Sequence, residues 1–179
     1  MTKKEIFTLS NFMSFVRIFL AVPIFYSIAA HENLLALLYI ILAMITDWLD
    51  GFFARKWKQV TTVGKVIDPL ADKICTAAGF ISLSLYYHLP VWITIVVVGR
   101  DLIIMLASLF MIGQRNLVMM SNVPGKMTVF FITLLGIVYL IPLEPLKMPL
   151  VFLCAVLIVF SFVNYAVGFF KNLYRAHEH

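Results

Sequence analysis

The stretch LLALLYIILAMITDWLDGFFARKWKQVTTVGKVIDPLADKICTAAGFISLSLYY, residues 34–87, decides how this chain is built. It opens and closes on apolar runs, and between them it gathers four aspartates and most of its basic residues. A helix needs roughly 20 apolar residues to cross a bilayer. Two such helices, about 34–54 and 66–87, fit the ends of this stretch, with their polar termini meeting at one membrane edge.

The same alternation of apolar run and breaker extends outward in both directions. Further spans are expected over about 11–30, 90–112, 125–141 and 149–170, with Pro90 and Pro149 opening helices, where a missing N–H costs little. A short amphipathic stretch, Lys3–Leu9, suits a helix lying in the interface. The expected fold is therefore all-α and integral to the membrane: six transmembrane helices, one short N-terminal interfacial helix, and a single domain over residues 1–179. Composition agrees, since 63% of the 179 residues are hydrophobic and 13% charged, against roughly half and a quarter in soluble domains. The mean hydropathy is +0.99. No cleavable signal pattern is expected, because the first apolar run is followed by more of the same.

A net charge of +5 suggests nucleic acid only until the charges are located. Lys3, Lys4, Arg55, Lys56, Lys58, Lys65, Arg115, Lys126, Lys171 and Arg175 fall at one set of span ends, and only Lys147 at the other. Cytoplasmic loops carry the Lys/Arg excess, so both termini and the 55–65 loop are expected in the cytoplasm. Cys75 and Cys154 lie in apolar runs without a CxxC or a histidine nearby, and serve as packing residues.

Four of the nine acidic residues fall within 47–72. Asp47 and Asp50 are spaced i, i+3, and Asp68 and Asp72 i, i+4, so each pair shares a helix face. A short loop makes the two helices antiparallel neighbours and lets all four carboxylates converge. Such a cluster at a membrane edge is costly unless neutralised. Hard divalent cations do this with oxygen ligands, Mg²⁺ characteristically combining a few carboxylates with substrate phosphates. Helix capping, or pairing with Arg55 and Lys65, accounts for any one aspartate but poorly for four. Gly51, Ala54 and Gly64 leave room for a ligand, and Arg55 offers a planar fork suited to phosphate.

Residues 47–72, DWLDGFFARKWKQVTTVGKVIDPLAD, match D-x2-D-G-x2-A-R-x8-G-x3-D-x3-D at all eight specified positions. In this the chain resembles the CDP-alcohol phosphotransferase family. The resemblance implies two divalent ions, Mg²⁺ or Mn²⁺, held by Asp47, Asp50 and Asp68, with Asp72 as general base and a further contact to metal. It implies that Gly51, Ala54, Arg55 and Gly64 hold the CDP moiety, and that CMP leaves as an acceptor oxygen attacks the lipid-bearing phosphorus. It also implies a homodimer in a bacterial cytoplasmic membrane, with the active site facing the cytoplasm.

Within the family, VTTVGKVIDPLADK and the N-terminal LSNFMSFVRI are most similar to phosphatidylglycerolphosphate synthases, whose acceptor is glycerol 3-phosphate. Cardiolipin synthases, which use phosphatidylglycerol, look similar too, and another polar alcohol such as inositol phosphate is a further alternative. Where this chain has Arg100-Asp101 the first group usually has Arg-Glu, while Arg-Asp also fits the second, and PGKMT lacks the second lysine of the GKxKT stretch it resembles. Arg100, in the middle of a span, is costly unless functional or paired. With Arg115 and Lys126 it is a candidate for binding an acceptor phosphate; pairing of Arg100 with Asp101 or with the acidic cluster, and anchoring of Arg115 and Lys126 at the membrane edge, are the plainer accounts. Asn11 and Arg17 are candidates to line the CDP site, with helix capping and snorkelling as equally good accounts. A divalent-cation transporter is the non-enzymatic alternative, but transport favours carboxylates near the midplane of two related halves, whereas these sit at one edge.

Overall fold

A computed structural model describes residues 9–56, 64–115 and 123–177. The interfacial helix expected over Lys3–Leu9 lies outside them except for Leu9. Among the described residues there are six α-helices and no strand: α1 Leu9–Ala29, α2 Asn33–Lys56, α3 Gly64–Tyr86, α4 Val91–Arg115, α5 Val123–Leu140 and α6 Glu144–His177. They correspond to the six expected apolar segments. The chain divides into two compact units, residues 1–90 and 91–179.

In the first unit α1 is the central element. It packs along both α2 and α3, while α2 and α3 hardly touch each other among the described residues. The expectation that a short loop makes α2 and α3 direct neighbours is thereby corrected: a short loop limits the distance between helix ends, but leaves room for a third helix between the bodies. Ala21, Ile24 and Ile28 of α1, Ala36 and Ala43 of α2, and Ala71, Phe80 and Leu83 of α3 are all buried in this unit. The small residues on α2 bring its backbone close to α1. Pro23 sits inside α1, and the buried Ser27 hydroxyl bonds back to the carbonyls of Pro23 and Ile24 at 2.7 and 3.1 Å, which satisfies its own polarity within the helix.

The α1–α2 turn closes on α1's last carbonyls, through Glu32 N–H to Ser27 O at 2.9 Å and His31 N–H to Ile28 O at 3.1 Å. His31 takes the left-handed conformation this cap requires, with φ 58°. Tyr87 packs its ring on His31 and donates its hydroxyl to Asn33 Oδ1, tying the end of α3 to the start of α2.

The second unit is built on α6, against which α5 packs along its length and α4 more sparingly. Ile132, Leu135 and Val138 of α5 and Val151, Cys154 and Ile158 of α6 are buried in its core. Thr128 Oγ1 bonds to its own helix at Pro124 O (2.8 Å) and across to Leu157 O (3.2 Å). Helix α6 begins at Glu144, so Pro149 lies inside it rather than opening it. Glu144 starts the helix earlier because an acidic residue in the first turn suits the helix dipole, and Lys147 one turn on pairs with it at 2.5 Å.

Large apolar side chains cover the outside of both units. On α1, Phe12, Phe15, Phe19, Val22 and Tyr26 form one exposed stripe, at the i, i+3, i+7 spacing of a single helix face. Soluble proteins rarely expose so continuous an apolar surface. Among the described residues, two helical segments, Phe12–Ala29 and Glu144–Gly168, are long and apolar enough to cross a membrane.

Gly79, in the interior of α3, offers a direct test of the α1–α3 contact. A Cβ there would sit 3.9 Å from Ile24 Cγ2, an ordinary van der Waals distance. Gly79→Ala is therefore expected to stabilise the protein by about 0.5–1 kcal/mol, through the lower helix propensity of glycine. Thermal unfolding in detergent checks this, and a lowered Tm would mean the two helices approach more closely than described.

Candidate active site

Three of the four clustered aspartates have described side chains, and the first unit brings them together. Asp47 comes from α2, Asp68 and Asp72 from the first turns of α3. Their carboxylates lie close enough for Asp68 and Asp72 to act electrostatically on Asp47, with Arg17 and Lys73 acting on it in the opposite sense. These two cations leave negative charge in excess even before Asp50 is counted. Asp50 belongs to α2 as well, but its side chain lies outside the described residues.

Helix α1 reaches both motif helices from one face. Ser14, fully buried, donates its hydroxyl to Asp68 Oδ1. Arg17, three residues on, is 1% exposed and holds Asp47 Oδ1 at 2.7 Å, while the Asp47 side chain is itself 59% exposed. The Arg17 main-chain carbonyl accepts a hydrogen bond from Cys75 Sγ of α3 at 2.8 Å. Cys75 thus contributes packing and one weak donor. Asp72 is 43% exposed, with Lys73 Nζ 3.0 Å from its Oδ2, and its backbone carbonyl accepts from Thr76 Oγ1 at 3.1 Å. Asp47 and Asp72 both present carboxylate surface to the outside of the unit.

Among the described residues, no three carboxylate, imidazole or thiol side chains form a group that could by itself hold a metal ion. The donor set nevertheless suits Mg²⁺ or Mn²⁺. Such ions take one or two protein carboxylates and complete their shell with water and substrate phosphates.

Gly51, Ala54 and Arg55 fall in the last turns of α2, and Gly64 is the first residue of α3; their side-chain surroundings lie outside the described residues. The candidate acceptor residues all belong to the second unit. Arg100 is buried with Asp101: Nη1 meets Asp101 Oδ1 at 2.6 Å, and Nη2 meets Ser161 Oγ of α6 at 3.0 Å. The Tyr165 ring centroid is 6.0 Å from the guanidinium carbon. Among the described residues, Arg100 Nε has no hydrogen-bond partner. Lys126 is exposed on the first turn of α5. Arg115 ends α4, with its side chain outside the described residues.

The chain matches the family described as CDP-alcohol phosphatidyltransferase over residues 7–165, which is most of its length. It belongs to that family. A relative from Aquifex aeolicus, named CDP-diacylglycerol–glycerol-3-phosphate 3-phosphatidyltransferase, is 30% identical over 174 residues, covering 92% of this chain and 97% of its own. A Haemophilus influenzae protein of the same name is 31% identical over 170 residues, covering 89% and 91%. The human protein named cardiolipin synthase (CMP-forming) is 38% identical over 111 residues, covering 62% of this chain and 36% of its own.

As a CDP-alcohol phosphatidyltransferase the chain is an enzyme, and its apolar exterior makes it a membrane protein. The family's motif residues lie on α2 and α3, yet two of the side chains that touch its aspartates come from α1. Ser14 has no distinguishing mark in the sequence. Arg17 does, as a charge within an otherwise apolar span, which makes it a candidate for the CDP site or a snorkelling side chain; the structure pairs it with Asp47.

Proposed function

We propose that this enzyme transfers the phosphatidyl group of CDP-diacylglycerol to glycerol 3-phosphate and releases CMP, as one catalytic domain over residues 1–179. The observation that supports this best is the meeting of Asp47, Asp68 and Asp72 from two helices, with Asp47 and Asp72 open to the outside. Six helices span a bacterial cytoplasmic membrane, with both termini and the carboxylate cluster on the cytoplasmic side, and the enzyme is a homodimer. The Lys/Arg distribution supports that orientation. The site opens to the cytoplasm and sideways to lipid, because a two-chain substrate must bring its pyrophosphate to the carboxylates without leaving the bilayer.

Asp47, Asp50 and Asp68 hold two divalent ions, with Asp72 as a further contact. When bound, such ions neutralise the pyrophosphate and stabilise the charge that builds up on the leaving phosphate. Gly51, Ala54, Arg55 and Gly64 seat the CDP moiety, Arg55 by its planar fork. Asp72 takes the proton of the acceptor hydroxyl. The acceptor oxygen bonds to the β-phosphorus, the bond from that phosphorus to the bridging oxygen breaks, and CMP departs with the electron pair. Arg100, Arg115 and Lys126 bind the acceptor phosphate; among the described residues, the buried Nε edge of Arg100 is the N–H its protein partners leave over.

The human cardiolipin synthase supports a second reading, in which phosphatidylglycerol is the acceptor and the chemistry is unchanged. Purified protein given CDP-diacylglycerol, Mg²⁺ and one acceptor at a time separates the two. CMP release is expected with glycerol 3-phosphate, abolished by EDTA and restored by Mg²⁺ or Mn²⁺. Turnover with phosphatidylglycerol alone would make the enzyme a cardiolipin synthase. No CMP release with glycerol 3-phosphate, phosphatidylglycerol, inositol phosphate or serine would count against transferase activity on any of these alcohols.

A further inference from the structure

Arg17 is an expensive residue where it stands. A guanidinium carries its charge at every accessible pH, and one buried in an apolar helix of a membrane protein is retained only if it is paired or put to use. Here it is 1% exposed, and its Nη1 lies 2.7 Å from one oxygen of Asp47, whose side chain is otherwise open. Its position is fixed from two further directions. Its own carbonyl is held by Cys75 of α3, and Ser14 on the same face of α1 engages Asp68.

We propose that Arg17 is the resident counter-cation of the carboxylate cluster: it balances Asp47 when no divalent ion is bound, and it sets how tightly the site takes up its ions. This rests on the assignment of Asp47 as a metal ligand. A fixed positive charge beside clustered carboxylates has two consequences of opposite use. It relieves their mutual repulsion in the metal-free protein, so that α1, α2 and α3 stay together without metal. It also subtracts from the attraction the cluster exerts on an incoming cation. The geometry allows both at once, because Arg17 approaches Asp47 from the buried side and leaves the carboxylate's exposed side for a metal. Ions held weakly by protein alone are then held mainly in company with the substrate pyrophosphate.

The test compares wild type, Arg17→Gln and Arg17→Lys, purified in Mg²⁺ and without lipid substrate. Mn²⁺ affinity is read by electron paramagnetic resonance, and Tm is measured in EDTA and in saturating Mg²⁺. Glutamine keeps a donor for Asp47 but removes the charge. Arg17→Gln is expected to bind Mn²⁺ tighter by on the order of tenfold. Its Tm should fall in EDTA, with most of that loss recovered in Mg²⁺, since a ligand stabilises the folded state it binds. Arg17→Lys keeps the charge, and its Mn²⁺ affinity should stay within about threefold of wild type despite the lost fork. If Arg17→Gln cannot survive EDTA, its affinity is read by Mn²⁺ competition from the Mg²⁺-loaded protein. Equal Tm losses with and without Mg²⁺, at unchanged Mn²⁺ affinity, would reduce Arg17 to a packing role and overturn the proposal. So would weaker Mn²⁺ binding in Arg17→Gln, the mark of a residue that only positions its ligand. A wild-type protein that binds no Mn²⁺ would remove the metal assignment itself, and this inference with it.

Discussion

Asp72→Asn is expected to stop CMP release almost completely, with kcat lowered by on the order of 10³-fold, the scale of a lost general base. The substitution keeps size and shape, and the contact Asp72 makes within α3 through its backbone, to Thr76, does not depend on the carboxylate. The fold should therefore survive, with Tm close to wild type. Geometry is compatible with this role: its side chain is 43% exposed, so an acceptor hydroxyl has access to it, and its ion-pair partner Lys73 is itself part-exposed, whereas Asp68 is engaged by the buried Ser14 and Asp47 by the buried Arg17. The three aspartates should accordingly fail in different ways. Asp72→Asn should lower kcat, and as the loss of a lesser metal contact it should raise the Mg²⁺ concentration giving half-maximal rate less than Asp47→Asn does. Asp47→Asn should raise that concentration, because it removes a ligand charge. Single-turnover assays at several Mg²⁺ concentrations separate the two patterns. An Asp72→Asn enzyme with unchanged kcat would end the assignment of this residue as base.

The carboxylate cluster was legible because its information is local. Asp47 with Asp50 and Asp68 with Asp72 sit at helical spacing within 26 consecutive residues, so elementary helix geometry orders each pair before any tertiary structure is known. The apolar runs located the six helices for the same reason. What the sequence did not disclose was the element between them. Arg17 lies 30 positions before Asp47, and Ser14 lies 54 before Asp68, and no periodicity links a residue to a partner that far away. The argument from a short loop places α2 against α3, whereas α1 packs on both, and Ala36 and Ala43 of α2 and Ala71 of α3 are buried. Helix-to-helix choices of this kind are made by small residues, and a hydropathy profile scores those as merely apolar. The start of α6 was missed on similar grounds: Pro149 is a strong local signal, and it outweighed the weaker one of an acidic residue in the preceding turn.

Asp101→Ala is expected to cause the largest loss of stability of any single change in the second unit, about 3–5 kcal/mol, the range for breaking one partner of a buried ion pair. Both side chains are 6% exposed and only 2.6 Å apart. Removing the carboxylate leaves the Arg100 guanidinium with the Ser161 hydroxyl and, 6.0 Å away, the Tyr165 ring, neither of which carries a compensating charge. For a chain of this size the Tm should drop on the order of 10 °C. The double variant Arg100→Met/Asp101→Ala should recover most of that loss, since replacing a buried pair by apolar side chains is often neutral or better. The double variant also decides what the pair is for. If it folds with near-normal Tm yet its KM for glycerol 3-phosphate rises while CDP-diacylglycerol binding is kept, Arg100 serves the acceptor phosphate and Asp101 makes its burial tolerable. If it folds and retains a normal KM, the pair is a brace between α4 and α6 through Ser161, and acceptor recognition falls to Arg115 and Lys126. A double variant as unstable as Asp101→Ala alone would contradict the charge argument, because the defect would then follow from lost packing rather than from a stranded guanidinium.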